Sequence, residues 1–293
     1  MVVNMTKGLF KRSVNRSAAG NVVMFIFVFL MACFMILPIV YAVGSAFKPL
    51  DEIYIFPPRM LPHRPTLDNF LQLSLLTGTF WVPLSKYLFN SVFVSVVATV
   101  GHTLLASMAA YPLAKLRFVG QRFMSSMVKV SLLFTSAAML IPQYIVMSQL
   151  HIINTYWAMI LPAMQSALGL YLMQNFMVQL PGELLEAARI DGAGELKIFW
   201  RIVMPNVKPA WLTTMIFAFQ TIWNTSGQTQ TTTIVYDEKI KMVSALMSQV
   251  VAGGTARAGA GAALAFLLMI PPVLLFMATQ SRIIETMSTS GMK

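Results

Sequence analysis

Long stretches without a charged side chain constrain this chain more than any other feature. Val22 to Phe47 contains no Asp, Glu, Lys or Arg, and neither does Tyr87 to Ala114. Each exceeds the roughly 20 apolar residues that carry a helix across a bilayer core. A longer run begins after Lys129 and is interrupted by the polar stretch from Gln149 to Thr155, which reads as a turn between spans at about Val130–Leu150 and Tyr156–Val178. A fifth run starts at Ala210 and a sixth covers about Ala258 to Gln280. Only 11% of the residues are charged, against about a quarter in a soluble domain, so water is not the main solvent. The expected fold is all-α and polytopic, with six transmembrane helices.

Basic residues orient these spans, because short loops rich in Lys and Arg stay in the cytoplasm. Lys7, Lys11, Arg12, Arg16, Lys115, Arg117, Arg122, Lys129, Arg189, Lys197, Arg201, Lys208, Arg282 and Lys293 fall on one side, fourteen of the 21. Lys48, Arg59, Arg64, Lys86, Lys239, Lys241 and Arg257 fall on the other, where Asp51, Glu52 and Asp68 dilute the first loop. Both termini are expected in the cytoplasm. The net charge of +11 then belongs to loops facing anionic lipid, and no nucleic-acid partner is expected. The apolar region behind the basic N-terminus is about twice the length of a signal-peptide core, so it reads as helix one.

The loop between spans four and five runs from Pro181 to Pro209. Pro181 ends the incoming helix, and Glu183 to Ile190 forms a short helix whose glutamates suit the positive end of its dipole. Asp191-Gly192 breaks it, since glycine reaches the left-handed conformation at little cost. A second helix spans about Gly194 to Met204, with Ile198, Ile202 and Phe199 on neighbouring faces, and Pro205 stops it. The outcome is a helix-turn-helix projecting from the membrane.

That loop resembles the EAA loop of bacterial ABC importer permeases, whose pattern is E-A-A, three residues, G, nine residues, I, one residue, L, P. Glu186-Ala187-Ala188, Gly192, Ile202, Met204 and Pro205 match it, with Met in place of Leu as the departure. The resemblance implies a type I ABC importer fold whose helix-turn-helix docks in a groove on a separate ATPase. Ala187 and Ala188 would permit close approach, Glu186 would contact the ATPase, and Gly192, between Asp191 and Ala193, would set the bend. The implied division is a cytoplasmic segment 1–21, a transmembrane permease domain 22–285 with its coupling loop at 181–209, and a cytoplasmic tail 286–293 in the bacterial inner membrane.

Further stretches look like the carbohydrate-importer branch, similar to maltose-type permeases: Leu37-Pro38, Phe56-Pro57-Pro58, Pro65 to Phe70, Asn90-Ser91, Ala110-Tyr111, Trp223-Asn224 and the tail Ser290 to Lys293. That branch implies a second permease subunit, two ATP-binding cassette subunits, an extracytoplasmic solute-binding protein and an oligosaccharide substrate. ATP and Mg would be bound by the partner ATPases, and no cofactor by this chain. Gly253 to Gly259, Pro271-Pro272, Gln280-Ser281 and Glu285-Thr286-Met287 look like a subgroup associated with acidic plant or algal polysaccharide fragments, such as alginate or pectin oligomers.

Gln220, Trp223, Asn224 and Arg257 are the expected residues of the substrate path. Many sugar permeases place an acidic residue after Trp-Asn, whereas this chain continues Thr225 to Thr233 with hydroxyls and amides. A solvated loop and a vestibule lining both fit that run. Arg257 is read as snorkelling to headgroups or as attracting acidic sugars. Cys33 stands alone, and neither His102 nor His151 has the company of a metal site, so no metal and no catalytic residue is expected.

No Gly, four residues, Gly-Lys-Ser/Thr pattern occurs, so the chain is not itself an ATPase or other enzyme and its energy must come from a partner. An importer for a neutral sugar or another solute is the first alternative. An ion-coupled carrier would need an ionisable relay within the membrane, and these spans hold no acidic residue away from their ends. A receptor role leaves the helix-turn-helix without a purpose.

Overall fold

The computed structural model describes residues 18–78, 82–134, 136–225 and 234–290, the last ten as backbone only. Lys7, Lys11, Arg12, Arg16, Lys293 and the run from Ser226 to Thr233 lie outside the described residues.

Among the described residues the regular structure is entirely helical. In chain order the helices are α1 (Ala18–Ala46), α2 (Leu50–Ile53), α3 (Asp68–Gly78), α4 (Leu84–Lys115), α5 (Gln121–Ser131), α6 (Ser136–Gln149), α7 (Tyr156–Ala163) and α8 (Ala167–Val178). Then come α9 (Gly182–Ile190), α10 (Glu195–Ile198), a π-helical turn (Phe199–Val203) and α11 (Met204–Asn206). The chain closes with α12 (Lys208–Thr225), α13 (Val243–Val251), a 3₁₀ turn (Gly254–Arg257) and α14 (Ala258–Ser290).

Among the described residues three segments are long and apolar enough to cross a membrane: Gly20–Ala46, Leu84–Lys115 and Gly254–Gln280. They correspond to expected spans one, two and six. The fourth expected span is divided, whereas the third, at about Val130–Leu150, is filled mainly by α6 and only overlaps the end of α5. α5 ends at Ser131, whose hydroxyl donates to Val128 O at 2.7 Å. Such a side chain competes with the backbone for the last carbonyls. Span four breaks at Met164-Gln165-Ser166, just past Pro162, where Ser166 caps α8 by accepting from Gly169 N at 3.4 Å.

α4 is the axle of the molecule. It packs against α7, α8 and α12, while α14 packs against α1, α3, α12 and α13. At 1.5 Å per residue its 32 residues span about 48 Å, beyond a hydrocarbon core of about 30 Å. Near its N-terminal end, Asn90 donates to Lys239 O and Lys241 O at 2.9 and 3.0 Å, and Ser91 Oγ accepts from Val243 N at 2.7 Å. Beside them, Asn69 donates to Ala46 O and Lys48 O, tying α3 to the end of α1.

Near the C-terminal end of α4, Ala106, Ala110 and Tyr111 join Met173 and Met177 of α8, Ala210 of α12, and Leu185, Ala188, Ile198, Phe199 and Val203 of the loop in one buried cluster. Burying these side chains contributes roughly 1.5–3 kcal/mol for each large one. By contrast, the apolar side chains of α1 from Val22 to Leu37 stand exposed, a surface suited to lipid or to another protein in the membrane.

Candidate functional site

The loop folds as a hairpin of two short helical arms. α9 ends at Asp191, Gly192 takes a φ of +76°, and Gly192 N and Ala193 N donate to Arg189 O and Ala188 O, both at 3.0 Å. This paired return of the chain onto the last carbonyls is a Schellman motif. It explains the Asp-Gly-Ala sequence: a left-handed residue for the turn, then a small apolar one that packs inward, as Ala193 does.

The two alanines of the motif do different things. Ala188 is only 8% exposed and packs into the chain's own core, so it sets the approach of the hairpin to α4 and α8 and does not face outward. Ala187, Glu186, Asp191 and Gly192 are exposed, and so are the apolar Leu184, Ile190 and Leu196, Ile190 at 87%. Pro205 does not stop the second arm. A wider π turn precedes it, Val207 N bonds Val203 O at 3.0 Å, and the chain turns at Val207 instead. Near the start of a helical turn a proline's missing N–H costs nothing.

Sequence reading missed the polar tie that fixes the hairpin. The Tyr111 hydroxyl donates to Glu195 Oε2, and Arg189 Nε donates to Glu195 Oε1 at 2.8 Å. Lys115 Nζ donates to Val178 O and Leu180 O at 3.0 and 2.6 Å, satisfying carbonyls at the end of α8. The Arg189 guanidinium, and after it the Tyr111 hydroxyl, hold the Glu195 carboxyl below its ordinary value of 4.5. A depressed carboxylate contributes stability that is fully present above the ordinary value and is lost as pH falls through the lower one. Hydrogen-exchange protection of the hairpin amides, corrected for intrinsic rate, should therefore stay level from pH 7 to about 5 and fall below about 4.5. Glu195→Gln should flatten that fall, and a loss centred between pH 5 and 7 would contradict the assignment.

A second feature surrounds the break between α7 and α8. Two cavities, of about 220 and 590 Å³, share His102, Pro162, Gln165 and Ser166 in their walls. The His102 ring donates through Nδ1 to Met164 O at 2.8 Å, satisfying a carbonyl that the break leaves free. His102 Nε2 and Thr214 Oγ1 are buried without a hydrogen-bond partner, beside Gly169.

Of the four expected path residues, Gln220, Trp223 and Asn224 share α12, and Arg257 lies in the 3₁₀ turn before α14. Trp223 is 1% exposed, stacks on Phe219 and donates to Leu268 O at 2.8 Å, so it fastens α12 to α14. Asn224 is exposed and Gln220 half-buried, and neither lines the cavities at the break, whose α12 walls come from Thr214, Phe217, Ala218, Thr221 and Ile222. Arg257 is half-buried in the 3₁₀ turn, where Tyr54 donates to Thr255 O at 2.8 Å, and lines a separate cavity of about 580 Å³.

Apolar spans around a broken helix, with a helical hairpin at one end, suit a protein that lies in a membrane. The family model of binding-protein-dependent transport system inner membrane components matches residues 102–288, and the chain belongs to that family. Protein LplC of Bacillus subtilis is 36% identical over 64% of this chain and 62% of its own length. The polygalacturonan/rhamnogalacturonan transport system permease protein YtcP of Bacillus subtilis is 31% identical over 68% of this chain and 67% of its own. The arabinooligosaccharides transport system permease protein AraQ of Halalkalibacterium halodurans is 32% identical over 66% and 69%. The chain thus spans about two thirds of these relatives. It also resembles in fold a chain from the crystal structure of a bacterial ABC transporter involved in the import of the acidic polysaccharide alginate, with a TM-score of 0.75 at 20% identity over 92% of this chain and 99% of that one.

Proposed function

We propose that this chain is one permease half of an ATP-driven oligosaccharide importer, crossing the membrane six times by α1, α4, the segment around α6, α7–α8, α12 and α14. The hairpin is the observation that carries the reading. It presents Leu184, Glu186, Ala187 and Ile190 outward on a turn held by Gly192, the surface that a groove on an ATPase would receive. Membership of the inner membrane component family supports a binding protein, two ATP-binding cassette subunits and a second permease as partners. ATP and Mg are bound by the ATPases. Both termini and the hairpin then lie in the cytoplasm.

Acidic oligosaccharides are the substrate class that fits best. A polygalacturonan/rhamnogalacturonan permease and a transporter of the acidic polysaccharide alginate stand among the proteins this chain resembles, and Arg257 offers a cation in the cavity beside α13. Reconstituted with its partners in proteoliposomes, the complex should take up oligogalacturonate or oligoalginate at least tenfold faster than neutral malto-oligosaccharides of equal length. Equal rates would remove the acidic preference and leave a neutral-sugar importer. ATP-independent uptake driven by an imposed ion gradient would overturn the importer reading itself.

A further inference from the structure

The tie between the hairpin and α4 is built differently from the packing around it. Leu185, Ile198, Phe199 and Val203 hold the hairpin by apolar burial, which is non-directional and tolerates sliding. Tyr111 is directional. Its ring is buried against Phe199 at 5.7 Å and an interplanar angle of 53°, and its hydroxyl reaches Glu195. Glu195 opens the second arm of the hairpin, while Arg189, bonded to the other oxygen of the same carboxylate, closes the first. One carboxylate therefore joins both arms to one membrane helix. A hydrogen bond to an ionised acceptor is about twice as strong as a neutral one, and it fixes direction as well as distance.

Two more observations place this contact at the end of a rod. Lys115, one turn beyond Tyr111 on the same face of α4, holds the chain where it enters the hairpin. At the far end of α4, Tyr87 donates to Glu238 at 2.9 Å, and Asn90 and Ser91 hold the backbone at Lys239, Lys241 and Val243. Between them His102 holds the break in the fourth span. Tyr87 and Tyr111 lie about 36 Å apart along the helix axis. A hairpin that rotates on docking would carry the end of α4 with it and move contacts at the opposite face.

We infer that Tyr111 is the positioning residue through which hairpin movement is passed to α4, an inference that rests on the ATP-coupled permease reading. The phenol reports the hairpin's orientation, and the apolar cluster supplies only its attachment. Wide π turns recur at functional sites in helices, and the one here begins at the residue against which Tyr111 packs.

The test is Tyr111→Phe in the complex with its co-purified partners, reconstituted in proteoliposomes. This variant keeps the ring and its packing and removes only the hydroxyl. Yield of the complex should match wild type and its thermal midpoint should fall only slightly, by the loss of one hydrogen bond, while solute moved per ATP hydrolysed falls at least fivefold. Tyr111→Leu, which also removes the ring, should lower the thermal midpoint as well. An unchanged ratio in Tyr111→Phe would overturn the inference and leave packing as the whole tie. Uptake and hydrolysis falling in proportion would overturn it too, since that is the signature of lost docking. If the wild-type complex itself shows no substrate-stimulated hydrolysis, the importer reading fails, and that failure is visible before any variant is compared.

Discussion

Gly192→Val is expected to cut substrate uptake by more than tenfold, whereas Gly192→Asn keeps most of it. The reason lies in the backbone alone. A Cβ at position 192 meets nothing within 4 Å, so no side-chain clash contributes. The φ of +76°, however, lies where a β-branched residue is a genuine outlier and asparagine is tolerated. Holding valine there costs about 1–3 kcal/mol, which is about 5- to 150-fold in the population of the native turn. Relief of that strain breaks the two hydrogen bonds from Gly192 and Ala193 and swings α9 relative to α10. Because the turn is exposed, the membrane helices should still assemble, and the amount of complex recovered should match wild type. Uptake unchanged with Gly192→Val would show that the turn geometry has no part in coupling.

Gly169→Ala should be strongly damaging for a single added methyl group. Its Cβ would stand 2.0 Å from His102 Nε2, 2.7 Å from Cε1 and 3.0 Å from Thr214 Cγ2, at the point where α4, α8 and α12 meet. The His102 ring cannot retreat without giving up Met164 O, the carbonyl freed by the helix break. Overpacking of this kind costs about 1–3 kcal/mol. The thermal midpoint of the purified protein should fall by roughly 2–5 °C. Combining it with His102→Ala separates clash from other causes, since neighbouring sites that share a contact are not additive. The penalty of Gly169→Ala should shrink by at least half in that background, and an equal penalty in both would locate the damage elsewhere.

How much of this could be read from the residues depended on the range of the interaction. Spans one, two and six were legible because charge-free length is a local property, and the hairpin turn because Asp-Gly at the end of a helix has one inexpensive conformation. The break in the fourth span was written in Pro162, Gln165 and Ser166, yet a long apolar run averages over three residues. The facing of Ala187 and Ala188 was not legible, because one residue is a rotation of about 100° and only the packed cluster says which side is inward. Trp223 was read toward the path on its neighbours in sequence, but its indole N–H had a carbonyl on α14 to reach. The tie from Tyr111 to Glu195 and the meeting of His102, Gly169 and Thr214 join residues far apart in the chain. No periodicity or spacing signals such contacts.

The central claim is that this chain is half of a transport path powered by other subunits. It is tested most directly by tagging the chain in its native membrane, purifying it in mild detergent and identifying by mass spectrometry what remains bound. The account predicts a second permease together with an ATP-binding cassette protein in about twofold excess over this chain. Recovery of the chain alone, or only with copies of itself, would contradict it, because the hairpin would then have no ATPase to receive it.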